Sequence, residues 1–152
     1  MPEIIYREAT AADVRSLAAL RWRMEIERRE QIVPLEEYAA AYEAATLGEL
    51  ESGRHRAWLA EAGSEPIACV LLVWWSMPPH FGKRDWRRGY VSSVYTLPEY
   101  RRRGISRRLM TMLLDWARAE DLTRIILWSS EAGRPLYEEL GFLPSRGMEI
   151  NL

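Results

Sequence analysis

The stretch from Val91 to Leu109, VSSVYTLPEYRRRGISRRL, limits the fold more than any other part of the chain. Residues 91 to 96 form a strand rich in β-branched residues, Pro98 turns the chain, and Arg101, Arg102 and Arg103 crowd against Gly104 before an amphipathic helix begins. A strand that feeds through a glycine-bearing turn into a helix leaves the first helical N–H groups unpaired at the positive end of the helix dipole. Such an end binds phosphate. Arginines at 101, 102, 103, 107 and 108 add guanidinium donors suited to phosphate oxygens. The two common nucleotide loops, G-x-x-x-x-G-K-[ST] and G-x-G-x-x-G, do not occur.

A second constellation runs from Trp128 to Phe142, at the end of the apolar strand Arg124 to Trp128. Pro135 suits a first helical turn, where its missing N–H is harmless, and Gly141 suits the position just past the helix end. Leu136 and Leu140 lie one turn apart on the expected buried face, with Tyr137 on a different side.

Arg101-x-x-Gly104-x-Ser106 resembles the pyrophosphate-binding signature of the GCN5-related N-acetyltransferases, in which Arg or Gln is followed by x-x-Gly-x-Gly or Ala. The surrounding Pro98-Glu99-Tyr100-Arg101, Arg103-Gly104-Ile105 and Leu109 match as well; Ser106 departs, since Gly or Ala is usual there. The segment Leu136-Tyr137 followed by Gly141-Phe142 is similar to the second half of that family's cofactor site. The resemblance implies acetyl-CoA as co-substrate, its pyrophosphate held by Arg101, Arg102, Arg103, Gly104, Ile105, Ser106 and Arg107. It further implies that Val94, Tyr95 and Thr96 hold the pantetheine and the thioester carbonyl through their backbone, that Ser130 borders the pantetheine arm, and that Tyr137 protonates the departing thiolate. The implied reaction is direct attack by a primary amine of a small molecule or peptide in a ternary complex.

At 152 residues the chain reads as one domain, residues 1–152. With 21 basic and 22 acidic residues the net charge is −1, which calls for neither nucleic acid nor an acidic membrane as the main partner. Cys69 is the only cysteine; it excludes an intrachain disulfide, and inside the apolar run Ile67 to Trp75 it is expected as a buried thiol. The first residues carry no signal-peptide core and no apolar run is long enough to span a bilayer, so a cytoplasmic location is expected. His55, His80 and Cys69 give no metal-ligand spacing. The family resemblance leaves a homodimer open.

Periodicity and turn signals predict a strand at Ile4 to Arg7 and a helix from Ala11 to Arg29 capped by Thr10, with Val14, Leu17, Leu20 or Arg21, and Met24 inward. A second helix runs from Pro34 to Leu50, with Leu35, Tyr38, Tyr42 and Ala45 aligned, and Gly53 ends it. Strands at Ala57 to Glu61 and Ile67 to Ser76 form a hairpin around Ala62-Gly63-Ser64, and an irregular loop from Pro78 to Arg88 precedes the central strand Gly89 to Thr96. The helix Gly104 to Glu120, the strand Arg124 to Trp128, the helix Arg134 to Leu140 and a last strand Met148 to Leu152 complete the order β-α-α-β-β-β-α-β-α-β. That order is an α/β (α+β mixed) domain with a central mixed sheet flanked by helices, and it is the order the resemblance implies.

The central strand contains neither carboxylate nor histidine, so the general base must lie elsewhere or act through water. Candidates are Glu27, favoured over Glu25 by its place beside the stripe of Met24, then His80, or a water chain on Ser92 and Ser93. An acceptor pocket is expected from the first two helices and the loop 77–88, with Trp22, Tyr38, Trp74, Trp75, Phe81 and Trp86 making it aromatic and partly acidic, suited to a cationic amine. Two other readings stay open: an acyl-CoA-binding sensor without turnover, and an acyltransferase with another acyl donor or a hydroxyl acceptor.

Overall fold

Strand and helix signals repeat along this chain, and the tertiary structure gathers the strands into one sheet. The computed structural model describes residues 2–29, 32–79, 81–82 and 86–152. The elements are β1 (Ile4–Glu8), a 3-10 turn (Ala11–Asp13), α1 (Val14–Ile26), α2 (Leu35–Ser52), β2 (His55–Ala62) and β3 (Glu65–Met77). They continue as β4 (Trp86–Val91), β5 (Tyr95–Thr96), a 3-10 turn (Pro98–Tyr100), α3 (Ile105–Ala119), β6 (Leu122–Ile126) and α4 (Arg134–Glu139). The sheet runs β1-β2-β3-β4-β6 with β5 also on β3; every pairing is antiparallel except β4 with β6. No helix among the described residues is long and apolar enough to cross a membrane.

Helices cover both faces of the sheet. Trp116 of α3 meets Trp58 of β2 and Trp74 of β3 with ring centroids 6.1 and 6.2 Å apart, so the even residues of β3 face α3. Leu17, Leu20 and Met24 of α1 are buried, as the stripe in the sequence predicts. In α2 the buried residues are Ala39 and Thr46 while Ala45 is exposed, so its inward face is rotated from the predicted one. Gly53 ends α2 in the left-handed conformation at φ 77°.

Two predicted strands are corrected. Met148 to Leu152 forms no strand; Met148, Ile150 and Leu152 are 97, 80 and 115 % exposed, because no sheet edge pairs with the segment to shelter its alternating apolar side chains. The central strand, predicted as continuous from Gly89 to Thr96 after an irregular loop through Arg88, starts earlier, at Trp86, and is cut in two. Ser92 donates its N–H to the Leu71 carbonyl at 2.8 Å and Tyr95 pairs with Cys69, so one strand takes three steps where its partner takes two. That is a β-bulge, with Ser93 at φ 36° and buried.

Gly89 sits where β4 is squeezed between its neighbours. A Cβ there would stand 2.6 Å from Leu72 Cδ1 and 2.9 Å from Ile125 Cδ1, far inside contact distance. Gly89→Val is expected to lower stability by roughly the 1–3 kcal/mol typical of overpacking, since the methyl ends of Leu72 and Ile125 must shift to make room. Urea denaturation checks this; a variant as stable as the wild type would contradict so tight a fit between β3, β4 and β6.

Candidate active site

The bulge opens the sheet at one place. Up to Tyr90, which pairs with Ile126, β4 and β6 run side by side; after it the chain turns toward β3 and pairs with β3 alone. The Leu97 N–H donates to the Ile67 carbonyl at 2.9 Å, so Tyr95 and Leu97 aim their backbone groups at β3, while Val94 and Thr96 turn theirs into the gap left by β6. The Val94 groups and the Thr96 N–H form an open strand edge that leads to the N-terminus of α3, the Thr96 carbonyl being taken by Arg101.

The turn into α3 has the geometry expected of an oxyanion cradle. Arg102 and Gly104 adopt left-handed backbone at φ 62° and 75°, and a Cβ on Gly104 would meet no protein atom within 4 Å. Residues 101–104 are exposed. Gly104 is the N-cap, and its carbonyl accepts the Arg108 N–H at 3.0 Å, which leaves the N–H groups of Ile105, Ser106 and Arg107 without helical acceptors. The Ser106 hydroxyl lies 2.9 Å from the Thr96 hydroxyl and ties the start of α3 to β5. Space above a glycine, free amides and a helix dipole together suit a pyrophosphate.

The arginines expected around this loop are used differently from one another. Arg101 turns back: its Nε donates to the Thr96 carbonyl at 2.9 Å and its Nη2 to both Glu27 oxygens at 2.9 and 2.7 Å. Its guanidinium also lies 5.5 Å from the centre of the Tyr95 ring. Arg103 stands over Tyr100, 5.4 Å from the ring centroid, and Arg107 pairs with Glu139 of α4.

Glu27 caps the end of α1 and accepts hydrogen bonds from the Tyr95 hydroxyl and from Arg101. Burial raises its carboxyl pKa, but those two hydrogen bonds and the charge of Arg101 outweigh it and hold the group below its ordinary value. The Tyr95 phenol is pushed up by burial and by the carboxylate it bonds. Glu25 is bound by Arg21 at 2.6 Å and Arg29 at 2.7 Å. Both carboxylates expected as candidate bases are therefore matched by guanidinium groups.

Arg21 reaches into the bulge, its Nη1 3.3 Å from the Ser93 hydroxyl, which in turn lies 3.5 Å from that of Ser92. Sequence reasoning did not assign Arg21 to the site; the ambiguity between Leu20 and Arg21 on the inward stripe of α1 was the signal for it. His80 lies outside the described residues.

On the other side of the gap, Ser130 closes the turn before α4, its hydroxyl accepting the Gly133 N–H at 3.1 Å. Tyr137 is 9 % exposed and is the most buried residue of α4, more so than Leu136 and Leu140, which corrects the predicted inward face. Its ring packs edge-on against Phe142 at 5.9 Å, and Gly133 lies so close beneath it that a Cβ there would be 3.0 Å from Tyr137 Cε2. Burial raises the phenol pKa, offset in part by the positive charge of Arg28 at the end of α1. The group is thus a protonated donor across neutral pH.

The aromatic residues expected to line one pocket are dispersed. Trp74 packs on α3 and donates to the Gly53 carbonyl at 2.7 Å, Trp22 donates to the Val33 carbonyl at 2.7 Å, Tyr38 packs on Tyr42, and Phe81 is fully exposed. Only Trp75 and Trp86 share a sheet face. Cys69 is buried, and burial pushes its thiol up to about 12, so it is not a nucleophile at neutral pH.

Comparisons with known proteins bear on the family and the fold. The sequence profile of the acetyltransferase (GNAT) family matches residues 15–142. Glucosamine 6-phosphate N-acetyltransferase of Trypanosoma brucei brucei is 34 % identical over 75 residues, which is 49 % of this chain and 51 % of that protein, so the match spans about half of the relative. A GCN5-related N-acetyltransferase from Ralstonia eutropha JMP134 superposes with a TM-score of 0.84 at 26 % identity over 99 % of both chains. A predicted acetyltransferase from Clostridium acetobutylicum, solved with acetyl-CoA, also reaches a TM-score of 0.84, at 27 % identity over 98 % of this chain and 96 % of that one.

Proposed function

The chain belongs to the acetyltransferase (GNAT) family, and from that premise we propose that it transfers the acetyl group of acetyl-CoA to a primary amine of a small molecule or peptide. The observation that carries this reading is the bulge at Ser92 to Val94, which frees a strand edge beside the N-terminus of α3. Acetyl-CoA supplies a thioester whose carbonyl carbon the amine attacks. The amides of residues 102–107 and the α3 dipole hold the pyrophosphate, and the edge of Val94 to Thr96 holds the pantetheine as an added strand.

Negative charge builds on the thioester oxygen in the transition state, and a backbone N–H from the same edge is fixed in place to meet it. Tyr137, protonated and shielded from water, donates to the departing sulfur. An aqueous amine is almost wholly protonated at neutral pH, so its proton must leave first. A carboxylate already bonded to a guanidinium is a weak proton acceptor, which favours water at Ser92 and Ser93 over Glu27. Glu27 then serves to hold Arg101, Tyr95 and the end of α1 together.

Glu27→Gln separates those roles. If Glu27 only holds the loop, kcat/KM stays within about tenfold of the wild type; a loss of about a hundredfold with disappearance of the acidic limb of the pH profile would make it the base. Stability gives an independent readout. Because the fold holds this carboxyl below its ordinary 4.5, its contribution is complete above that value and is lost as pH falls through the folded value. The difference in Tm between wild type and Glu27→Gln is therefore expected at pH 7 and absent in strong acid.

The function itself is tested by release of free thiol from acetyl-CoA by the purified protein against a library of amines, including amino sugars and their phosphates. Amine-dependent release is the expected result. Coenzyme A binding with no release across the panel would make the chain an acyl-CoA sensor instead.

A further inference from the structure

Before the fork at which β4 and β6 part, the face of the sheet opposite α3 carries an unexplained pair of charges. A Cβ on Gly89 would meet Leu72, Leu122 and Ile125, so Gly89 points to the α3 side and its neighbours Arg88 and Tyr90 point to the other. Ile125 lies opposite Gly89, which places Arg124 and Ile126 on that same outer face, and Arg88 pairs in register with Arg124. Two arginines thus occupy partnered positions on one face of adjacent strands, whose backbones run about 4.8 Å apart. Like charges directly opposite each other on a sheet are destabilising.

Nothing in the described residues offsets that repulsion. Neither arginine has a carboxylate partner among them, whereas Arg7, Arg15, Arg21, Arg29, Arg101 and Arg107 all do. The Nε of Arg88 is also shut off from solvent without a hydrogen-bond partner. Its guanidinium lies over Trp86, 5.2 Å from the ring centroid, and Trp75 and Tyr90 lie on the same face, both half-buried. A guanidinium over an aromatic ring, with a second arginine in register on the next strand and no carboxylate partner for either among the described residues, suits a bidentate oxyanion.

The location gives that oxyanion a purpose. Tyr90 is the last residue of β4 paired with β6 before the strands part, and Arg88 precedes Ser92 by four residues, about 13 Å along an extended strand. A small molecule lying along this face with its acid on the arginines would bring its other end to the fork. We propose that Arg88 and Arg124 form an anion subsite for the acceptor, which is an amine carrying a phosphate or carboxylate at the end remote from its amino group. The anion site stands on the arginine pair alone; its role in placing an acceptor rests on the acetyl-transfer reading.

The test measures the anion first, with inorganic phosphate as the probe and coenzyme A present in excess to occupy the amides of α3. Ten millimolar phosphate is expected to raise the wild-type Tm by about 3 °C over chloride at equal ionic strength, the size of shift that millimolar binding produces. Arg88→Gln and Arg124→Gln are expected to lose that shift, and Arg124→Gln to be at least as stable as wild type without phosphate, since it removes a repulsion. No phosphate shift in the wild type, or the same shift in the double variant, overturns the subsite.

Turnover supplies the second arm. Amino sugars are compared with their phosphates, and amino acids with their amides; kcat/KM for the acidic member is expected to exceed that of its neutral mate by about tenfold or more, and the ratio is expected to collapse in Arg88→Gln. A wild-type preference for the neutral member of both pairs overturns the subsite as an acceptor site. A phosphate shift abolished by the variants in a protein that acetylates nothing would keep the anion site and reject the acetyl-transfer reading, so the two failures are distinguishable.

Discussion

Gly104→Val is expected to weaken coenzyme A binding by about a hundredfold or more while leaving the fold intact. Gly104 sits at φ 75°, where an L residue pays about 1–2 kcal/mol and a β-branched one more. No protein atom lies within 4 Å of a Cβ at this position, so the substitution does not clash with the core and the protein still folds. What the side chain would occupy is the open space over the turn, where the pyrophosphate must approach the amides of α3. Titration calorimetry with coenzyme A measures the loss, and circular dichroism confirms folding. Wild-type affinity in a folded Val variant would remove the pyrophosphate from this turn.

Tyr137→Phe is expected to cut kcat by about a hundredfold to ten-thousandfold, the range of a general acid, with coenzyme A affinity nearly unchanged. The ring fills the same space against Phe142 and Gly133, so packing is kept and only the proton is lost. The pH profile adds a signature. Burial holds the phenol above its ordinary pKa of 10.0, so the wild type keeps the donor protonated through neutral pH and loses activity only as strongly alkaline pH removes that proton. The Phe variant should show no such alkaline limb. Wild-type turnover under conditions where chemistry limits the rate would sink the assignment.

Much of the local structure around the candidate site was legible because its parts are local. A glycine needed at positive φ, an arginine run, a proline in a first helical turn and a glycine past a helix end are each carried by a few neighbouring residues. They put α3 and α4 within a residue or two of where the structure has them. The hairpin around Gly63 and the end of α2 at Gly53 were readable for the same reason. Apolar periodicity likewise identified the inward face of α1, whose buried residues sit where the spacing says.

The failures share one cause, which is that they depend on residues far apart in the chain. Strand propensity runs unbroken from Gly89 to Thr96, yet the bulge exists because β3 offers one residue fewer than the strand beside it. The tail from Met148 alternates like a strand and forms none, since propensity cannot supply a partner edge. Glu27 looked like an available base because its neighbours in sequence do not include Arg101, 74 residues away, which binds it. Arg88 and Arg124, 36 residues apart in the chain, are brought into register only by the pairing of β4 with β6. By itself the sequence determined the helices, the hairpin, the glycine turn into α3 and the family, all of which are encoded in short-range spacing and backbone preference. Which charges are matched, which strand edge is free and which face of the sheet holds an unpaired cation were decided only by the tertiary structure, because electrostatic partnership is a property of distance in space.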